Sequence, residues 1–319
     1  MKKNSFRTRR LIFGIIVITS FLFLFFIFVF AERDIVNDAT DEITNEQKYA
    51  IYPVELPEEL DFAGEKVPLD YFDVKESLDM ELLINVYWQS HTMLLIKRAN
   101  RYFPEIKSIL EKNGIPEDLV FIPVAESDLT NAVSPRQAVG FWQFVSATAR
   151  EHGLEVNHEV DERYHIGKST QAACRFLKES YQRYGSWTMA AASYNMGRAG
   201  LDEQIERQKI NYYYDLLLNE ETGRYIYRLL ALKLILSDPE KYGFHIEPED
   251  LYVQIPVYEV TIDGSVEDFA NFASKYNINY KVLKIFNPWL RDNKLVNARG
   301  KTYYIDIPRD GIRTAELTD

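Results

Sequence analysis

The stretch from Leu11 to Ala31 carries no charge and is almost wholly apolar, and no other feature limits what this chain can fold into so strictly. Its length is about that needed to cross the hydrocarbon core of a bilayer as a helix. Lys2, Lys3, Arg7, Arg9 and Arg10 precede it, while Glu32, Asp34 and Asp38 follow. The positive-inside rule keeps residues 1–10 in the cytoplasm as a basic segment, makes 11–31 a transmembrane anchor, and sends the rest of the chain across. Val29-Phe30-Ala31 also fits a small-residue cleavage site, so a cleaved signal peptide is the rival reading. The apolar run is longer than a signal core needs, which favours the anchor. No cysteine stands at its end, so lipoprotein attachment is excluded.

The remainder is large enough to bury one sizeable core and one small extra module, with 46% hydrophobic residues in 319. A net charge of −11 argues against a nucleic-acid surface, because binding phosphates needs clustered Lys and Arg. The one cysteine, Cys174, excludes an internal disulfide framework and a Cys-based zinc site. It sits in a helical pattern from Gln171 to Leu177 and reads as a small buried thiol. His152, Glu155, His158 and His165 match no zinc motif, so neither metal nor cofactor is expected.

Residues 32–70 form an acidic stretch punctuated by Pro53, Pro57 and Pro68, a spacer expected to pack little. From 71 to 245 the pattern is helical. Leu78, Leu82, Val86, Leu94 and Leu95 recur at helical intervals, and Pro104 and Gly114-Ile115-Pro116 are expected to break the region into short helices. Pro116-Glu117-Asp118 suits a helix start. Further helices fit Asp161–Gly185, Thr188–Tyr194 and Thr222–Leu236, with no alternating strand between Val74 and Gly243. The character changes in 251–309. Leu251–Val260 and Thr302–Ile307 are rich in branched and aromatic residues and suit strands, flanking two short helices at Val266–Tyr276 and Tyr280–Phe286. Residues 310–319 form a tail. The fold class is therefore mainly α, with a small, separate α+β module of β-α-α-β order.

Glu126 follows the hydrophobic run Phe121-Ile122-Pro123-Val124-Ala125, which places its carboxyl group at the end of a mostly buried helix. Desolvation there penalises the charged form and raises the pKa. A proton held near neutral pH is what a general acid needs at a glycosidic oxygen. A capping or solvated carboxylate fits the same residues.

Three segments taken together go further. Glu126-Ser127, Ser134-Pro135 and Ala138-Val139-Gly140-Phe141-Trp142-Gln143-Phe144 resemble the first signature of the lytic transglycosylases with a goose-type, lysozyme-like fold. Ala192-Ser193-Tyr194-Asn195-Met196-Gly197 resembles their second, and Glu221-Thr222-Gly223-Arg224-Tyr225 their third. Tyr87-Trp88-Gln89-Ser90, Lys97 to Arg101 and Val160-Asp161-Glu162-Arg163 are similar to the membrane-bound type D branch. The likeness covers about Leu78 to Gly243.

That resemblance implies cleavage of peptidoglycan glycan strands between N-acetylmuramic acid and N-acetylglucosamine, with Glu126 acting first as acid and then as base. The muramic acid's own 6-hydroxyl closes on the anomeric carbon and leaves a 1,6-anhydro end. An intramolecular nucleophile has already lost much of its translational entropy, so the second carboxylate of ordinary glycosidases is less necessary. By the same resemblance Ser134 contacts the muramoyl sugar, Gln143 and Asn195 orient acetamido groups, and Tyr194 and Tyr225 wall the cleft, with the Tyr225 hydroxyl close to Glu126. Trp142 is either a buried packing residue or a sugar platform. Gln137, Phe141, Ser193 and Met196 depart from the family pattern, and Gln137 stands where Gly is common.

The 251–309 module resembles a LysM domain, through Asp263-Gly264-Ser265, Phe269-Ala270, Leu283, Asn287-Pro288-Trp289-Leu290 and Gly300 before Tyr303-Tyr304-Ile305. This implies glycan binding, with a structural cap as the alternative. Two functional readings stand beside the transglycosylase. One is a lysozyme-like hydrolase using Asp128, Glu155 or Asp161 as a second carboxylate. The other is a non-catalytic peptidoglycan-binding scaffold. The expected location is the bacterial inner membrane, with the catalytic domain facing the periplasm.

Overall fold

A computed structural model describes residues 51–309. The apolar run 11–31 and the tail 310–319 lie outside the described residues. Among those described, no helix is long and apolar enough to cross a membrane.

Ten α-helices and two small two-stranded sheets make up the described chain. In order they are β1 (Asp61–Phe62), β2 (Glu65–Lys66), α1 (Phe72–Tyr87), α2 (Gln89–Lys112), α3 (Phe121–Ser127), α4 (Ser146–Glu151) and α5 (Ile166–Tyr184). There follow α6 (Trp187–Met196), α7 (Arg198–Gln208), α8 (Glu220–Ser237), β3 (Val257–Ile262), α9 (Phe269–Ser274), α10 (Tyr280–Phe286) and β4 (Tyr303–Pro308). The expected mainly α class, with a β-α-α-β module at the C-terminal end, is what the chain forms.

The core is organised around α8. Ile226, Leu229, Leu230, Ala231 and Ile235 are fully buried, on a helix that packs against α1, α2, α3 and α6. A helix with so wide an apolar face is stable only where several neighbours cover it. One buried ion cluster ties α1 to it. Glu81 is 1% exposed and receives Arg224 Nε at 2.6 Å, with Arg228 Nε at 3.9 Å. Removing Arg224 strands the buried Glu81 carboxylate, with only Arg228 at 3.9 Å still near it. Arg224→Ala is therefore expected to cost about 2 kcal/mol of folding stability, read from the midpoint of urea unfolding. An unchanged midpoint would contradict this.

Two sequence expectations fail here. Pro104 does not break α2, which runs unbroken from Gln89 to Lys112. An interior proline costs roughly 3 kcal/mol. Leu95, Ile96 and Ala99 on one side of it and Ile106 and Leu110 on the other are all buried, and that burial outweighs the loss. The stretch read as a spacer to residue 70 packs from Val54 onward. Phe62 and Val67 are fully buried, with Val54, Leu56, Leu60 and Leu69 against the same core. Its turn also supplies Glu65, whose carboxylate accepts from Thr188 N at 3.0 Å, Thr188 Oγ1 at 2.6 Å and Ser186 Oγ at 2.7 Å. A carboxylate at the N-terminus of a helix satisfies free N–H groups and the helix dipole together. Glu65 thus fixes the start of α6, the helix that ends in Tyr194-Asn195.

In the module, β3 and β4 pair antiparallel from Val257 opposite Pro308 to Ile262 opposite Tyr303. The expected first strand is shifted. Leu251 to Pro256 is not strand, because the carbonyls of Tyr252 and Val253 accept from Asn100 Nδ2 and Arg101 Nε of α2. The module also does not stand apart. Ile262, Leu283, Trp289, Leu290 and Leu295 share a buried cluster with Val139, Val160 and Tyr164 of the helical domain.

Candidate active site

Glu126 lies near the end of α3, whose Phe121, Ile122 and Val124 are buried. Asp128 takes a left-handed conformation, φ 54°, and stops the helix there. The Glu126 side chain meets α8 at Tyr225, which is fully buried and donates from its hydroxyl to Glu126 Oε1 at 2.7 Å. Burial pushes the Glu126 carboxyl up to about 7. The Tyr225 hydrogen bond pulls it down, Glu221 pushes it up, and Arg228 pulls it down, each less than burial does. The carboxyl therefore holds its proton up to near neutral pH, as the hydrophobic run before it suggests.

The cleft over this carboxyl has a volume of about 660 Å³. Glu126, Ser134, Gln143, Tyr194, Asn195 and Tyr225 all line it, together with Glu221 and Arg228. The six residues singled out from the sequence are thus brought together in one place. Their detailed roles differ from one another. Ser134 Oγ accepts the Ala138 N–H at 3.0 Å and closes a turn. Gln143 sits at φ 47°, and its amide nitrogen donates to Ala132 O at 3.0 Å and Gly140 O at 2.7 Å. Its amide oxygen is the group left for a ligand. Asn195 is held by Thr222 Oγ1, which donates to its Oδ1 at 2.9 Å, and it donates to Glu221 Oε1 at 3.4 Å. Tyr194 donates to Trp142 O at 2.6 Å, and its ring packs edge-on against Trp142, Phe144 and Phe176.

Trp142 is fully buried and donates from Nε1 to Thr170 Oγ1 at 2.9 Å. It packs the core and is no sugar platform. The preference for glycine at position 137, from which Gln137 departs, and the glycine of the motif at 140 also gain a cause. Gln137 stands at φ 59°, in the left-handed region where Gly is at ease. A Cβ at Gly140 would lie 2.1 Å from Arg163 O.

The carboxylates proposed from sequence as a second acid lie elsewhere. Asp128 pairs with His91 at 3.1 Å, Asp161 with Arg163 at 2.7 Å, and Glu155 with Lys301 at 2.9 Å. None of them lines the cleft. Among the described residues, Glu221 is the other carboxylate on its wall, exposed at the start of α8. It stands in the third sequence motif, where position marked it but composition gave no reason to weigh it as an acid. The four residues weighed as a metal cluster are dispersed. His152 packs tilted against Phe144 and edge-on to Phe176, His158 pairs with Asp292, His165 stacks on Trp289, and Glu155 is held by the module. Cys174 is buried, with its thiol pushed up to about 11 by burial.

Tyr225→Phe removes the hydrogen bond that favours the Glu126 carboxylate while leaving the burial intact. The expected result is an upward move in the pH at which Glu126 loses its proton. Any reaction needing both protonation states should slow by roughly ten-fold. A pH–rate profile measures both, and an unmoved alkaline limb would contradict the pairing.

Two family profiles match the chain. The Transglycosylase SLT domain matches residues 104–216, and the Soluble lytic transglycosylase C-terminal LysM-like domain matches 258–311. The first span contains Glu126, Ser134, Gln143, Tyr194 and Asn195, while Tyr225 lies beyond it. Membrane-bound lytic murein transglycosylase D of Escherichia coli K12 is 30% identical over 232 residues, 69% of this chain and 50% of that protein. The protein of the same description from Escherichia coli O6:H1 matches to the same extent. A protein of Alteromonas sp. (strain M-1), named for tributyltin chloride resistance, is 32% identical over 129 residues, 40% of this chain and 62% of that one. The chain thus spans about half the length of the murein transglycosylases it matches.

Proposed function

From a chain that carries a transglycosylase SLT domain and a LysM-like C-terminal domain, we propose a lytic transglycosylase that cuts the glycan strands of peptidoglycan. The observation that carries this reading is one carboxyl, Glu126, that lines a cleft, is hydrogen-bonded to a fully buried tyrosine, and is pushed by burial up to about 7. Glu126 gives its proton to the glycosidic oxygen as the bond from the muramic acid's anomeric carbon breaks. The carboxylate so formed takes the proton of that sugar's 6-hydroxyl, whose oxygen bonds to the anomeric carbon. Glu126 ends the cycle protonated and no water is consumed.

The remaining groups bind and orient. The Gln143 amide oxygen and the Ser134 hydroxyl face the sugar from the 132–144 loop. Asn195, already held by Thr222, presents a fixed amide to an acetamido group. Tyr194 provides an apolar wall that keeps water from the oxocarbenium-like transition state. The run 11–31 is proposed to anchor the enzyme in the inner membrane, with this cleft in the periplasm.

The rate of peptidoglycan solubilisation by the full-length chain in detergent tests this reading. Since the first step needs Glu126 protonated, the rate should fall as pH rises through about 7. A rate that climbs through that range would contradict Glu126 as the acid.

A further inference from the structure

The LysM-like module meets the helical domain through a continuous set of contacts, and these lead to the cleft. Val160 bridges Leu290, Asp161 N donates to Trp289 O at 2.9 Å, and Arg291 N donates to Glu159 O at 2.7 Å. Lys301 Nζ and the Tyr303 hydroxyl reach Glu155 at 2.9 and 3.1 Å. Trp289 is 2% exposed and stacks between His165 and Tyr303.

The segment held in this way, Glu155–Tyr164, carries Arg163. Its buried guanidinium forms a two-pronged pair with Asp161, at 2.9 and 2.7 Å. Its remaining prong donates to Gln137 O at 3.0 Å and Phe144 O at 3.1 Å. Those two carbonyls bracket the 137–144 part of the loop that presents Gln143. Val139 of the same loop is buried in the cluster that the module completes. The loop needs such support. Gln137 and Gln143 both stand in the left-handed region, at φ 59° and 47°, and backbone held there costs of order 1 kcal/mol or more per residue.

We propose that the module acts as a brace for the cleft: it fixes Asp161, Asp161 orients Arg163, and Arg163 holds the 137–144 loop in its sugar-binding form. Arg163 is thus a positioning residue, distant in its contacts from Glu126. The larger cavity of about 1180 Å³ between the module and α5 contains neither Glu126 nor Tyr225, so the brace and the chemistry are separate. This inference rests on the reading of the cleft as a glycan site, but its first test does not.

Hydrogen exchange in the full-length chain reads the loop directly. Arg163→Gln is expected to speed exchange at the Ala138, Val139 and Gly140 amides by ten-fold or more, with Arg163→Lys falling between it and the parent. Leu290→Asp, which loosens the module's contact and leaves the loop sequence intact, should speed the same amides. Neither should change exchange in α8. If either variant fails to fold, the other carries the test. Loop protection unchanged in both variants would overturn the brace.

The second readout is binding of an N-acetylglucosamine–N-acetylmuramic acid tetrasaccharide in a Glu126→Gln background, where no cleavage competes. Arg163→Gln should weaken it about ten-fold. In the active chain KM should rise while the pH at which the rate falls stays put, because Tyr225 and α3 are untouched. Faster loop exchange with no change in sugar binding would keep the loop contact and overturn its role at the cleft. A shift of the pH limb together with loss of α8 protection would mean general unfolding and would also overturn it.

Discussion

Glu126→Gln is expected to lower peptidoglycan cleavage by about a thousand-fold or more, since a single group supplies both the acid and the base. Glutamine keeps the volume and the carbonyl oxygen that accepts from Tyr225, but it carries no transferable proton. The same substitution should act on stability in the opposite sense. The folded carboxyl is raised to about 7 from 4.5, so the folded state binds the proton more tightly than the unfolded chain does. The parent keeps that advantage fully below about pH 4.5 and loses it as pH rises through about 7. Relative to the parent, Glu126→Gln is therefore expected to be more stable at pH 8 than at pH 5. The gain should be roughly 1 to 3 kcal/mol, the lower part of that range reflecting screening at a partly exposed group. Thermal melts at the two pH values measure it without any assay of activity. A mutant that cleaves like the parent, or one with no pH-dependent gain, would contradict the burial argument at its root.

Gly140→Ala carries the largest expected loss of stability. The backbone there stands at φ +81°, and a Cβ would lie 2.1 Å from Arg163 O and 2.9 Å from the carbonyl carbon. The clash is with backbone, which cannot swing aside as a flexible side chain can. The cost should be about 3 kcal/mol or more, well beyond an ordinary surface change. The move that relieves the clash also pulls Arg163 away from the carbonyls of Gln137 and Phe144. Sugar binding should fall with stability, because the loop that presents Gln143 shifts. Urea unfolding and tetrasaccharide binding report the two effects. A loss under 0.5 kcal/mol would sink the steric reading.

Much of this molecule was legible in the sequence wherever local pattern and chemistry coincide. The apolar run before Glu126 announced a desolvated carboxyl, and the order of the three motifs brought six residues to one cleft. The helices of the core followed the spacing of Leu78, Leu82 and their neighbours. What escaped depends on contacts between distant parts of the chain. Pro104 reads as a helix breaker until burial on both sides of it is known. Glu65 reads as one acid among many in an acidic stretch, because its partners at Ser186 and Thr188 are remote in sequence. Arg163 reads as part of a motif, and only the fold shows its guanidinium reaching Gln137 and Phe144. The module reads as separate because its own pattern is complete; its docking depends on Val139, Val160 and Tyr164, which sit in the helical domain. Trp142 could be decided only by finding Thr170 at its indole nitrogen.

The most direct test of the central claim is mass spectrometry of the muropeptides released when the full-length chain in detergent digests purified peptidoglycan. Cleavage by the route proposed for Glu126 predicts products one water lighter than those of hydrolysis, ending in 1,6-anhydro-muramic acid and absent with Glu126→Gln. Fully hydrated reducing ends would contradict it. They would mean that water attacks the anomeric carbon, and would move attention to Glu221, the other carboxylate on the wall of the cleft among the described residues.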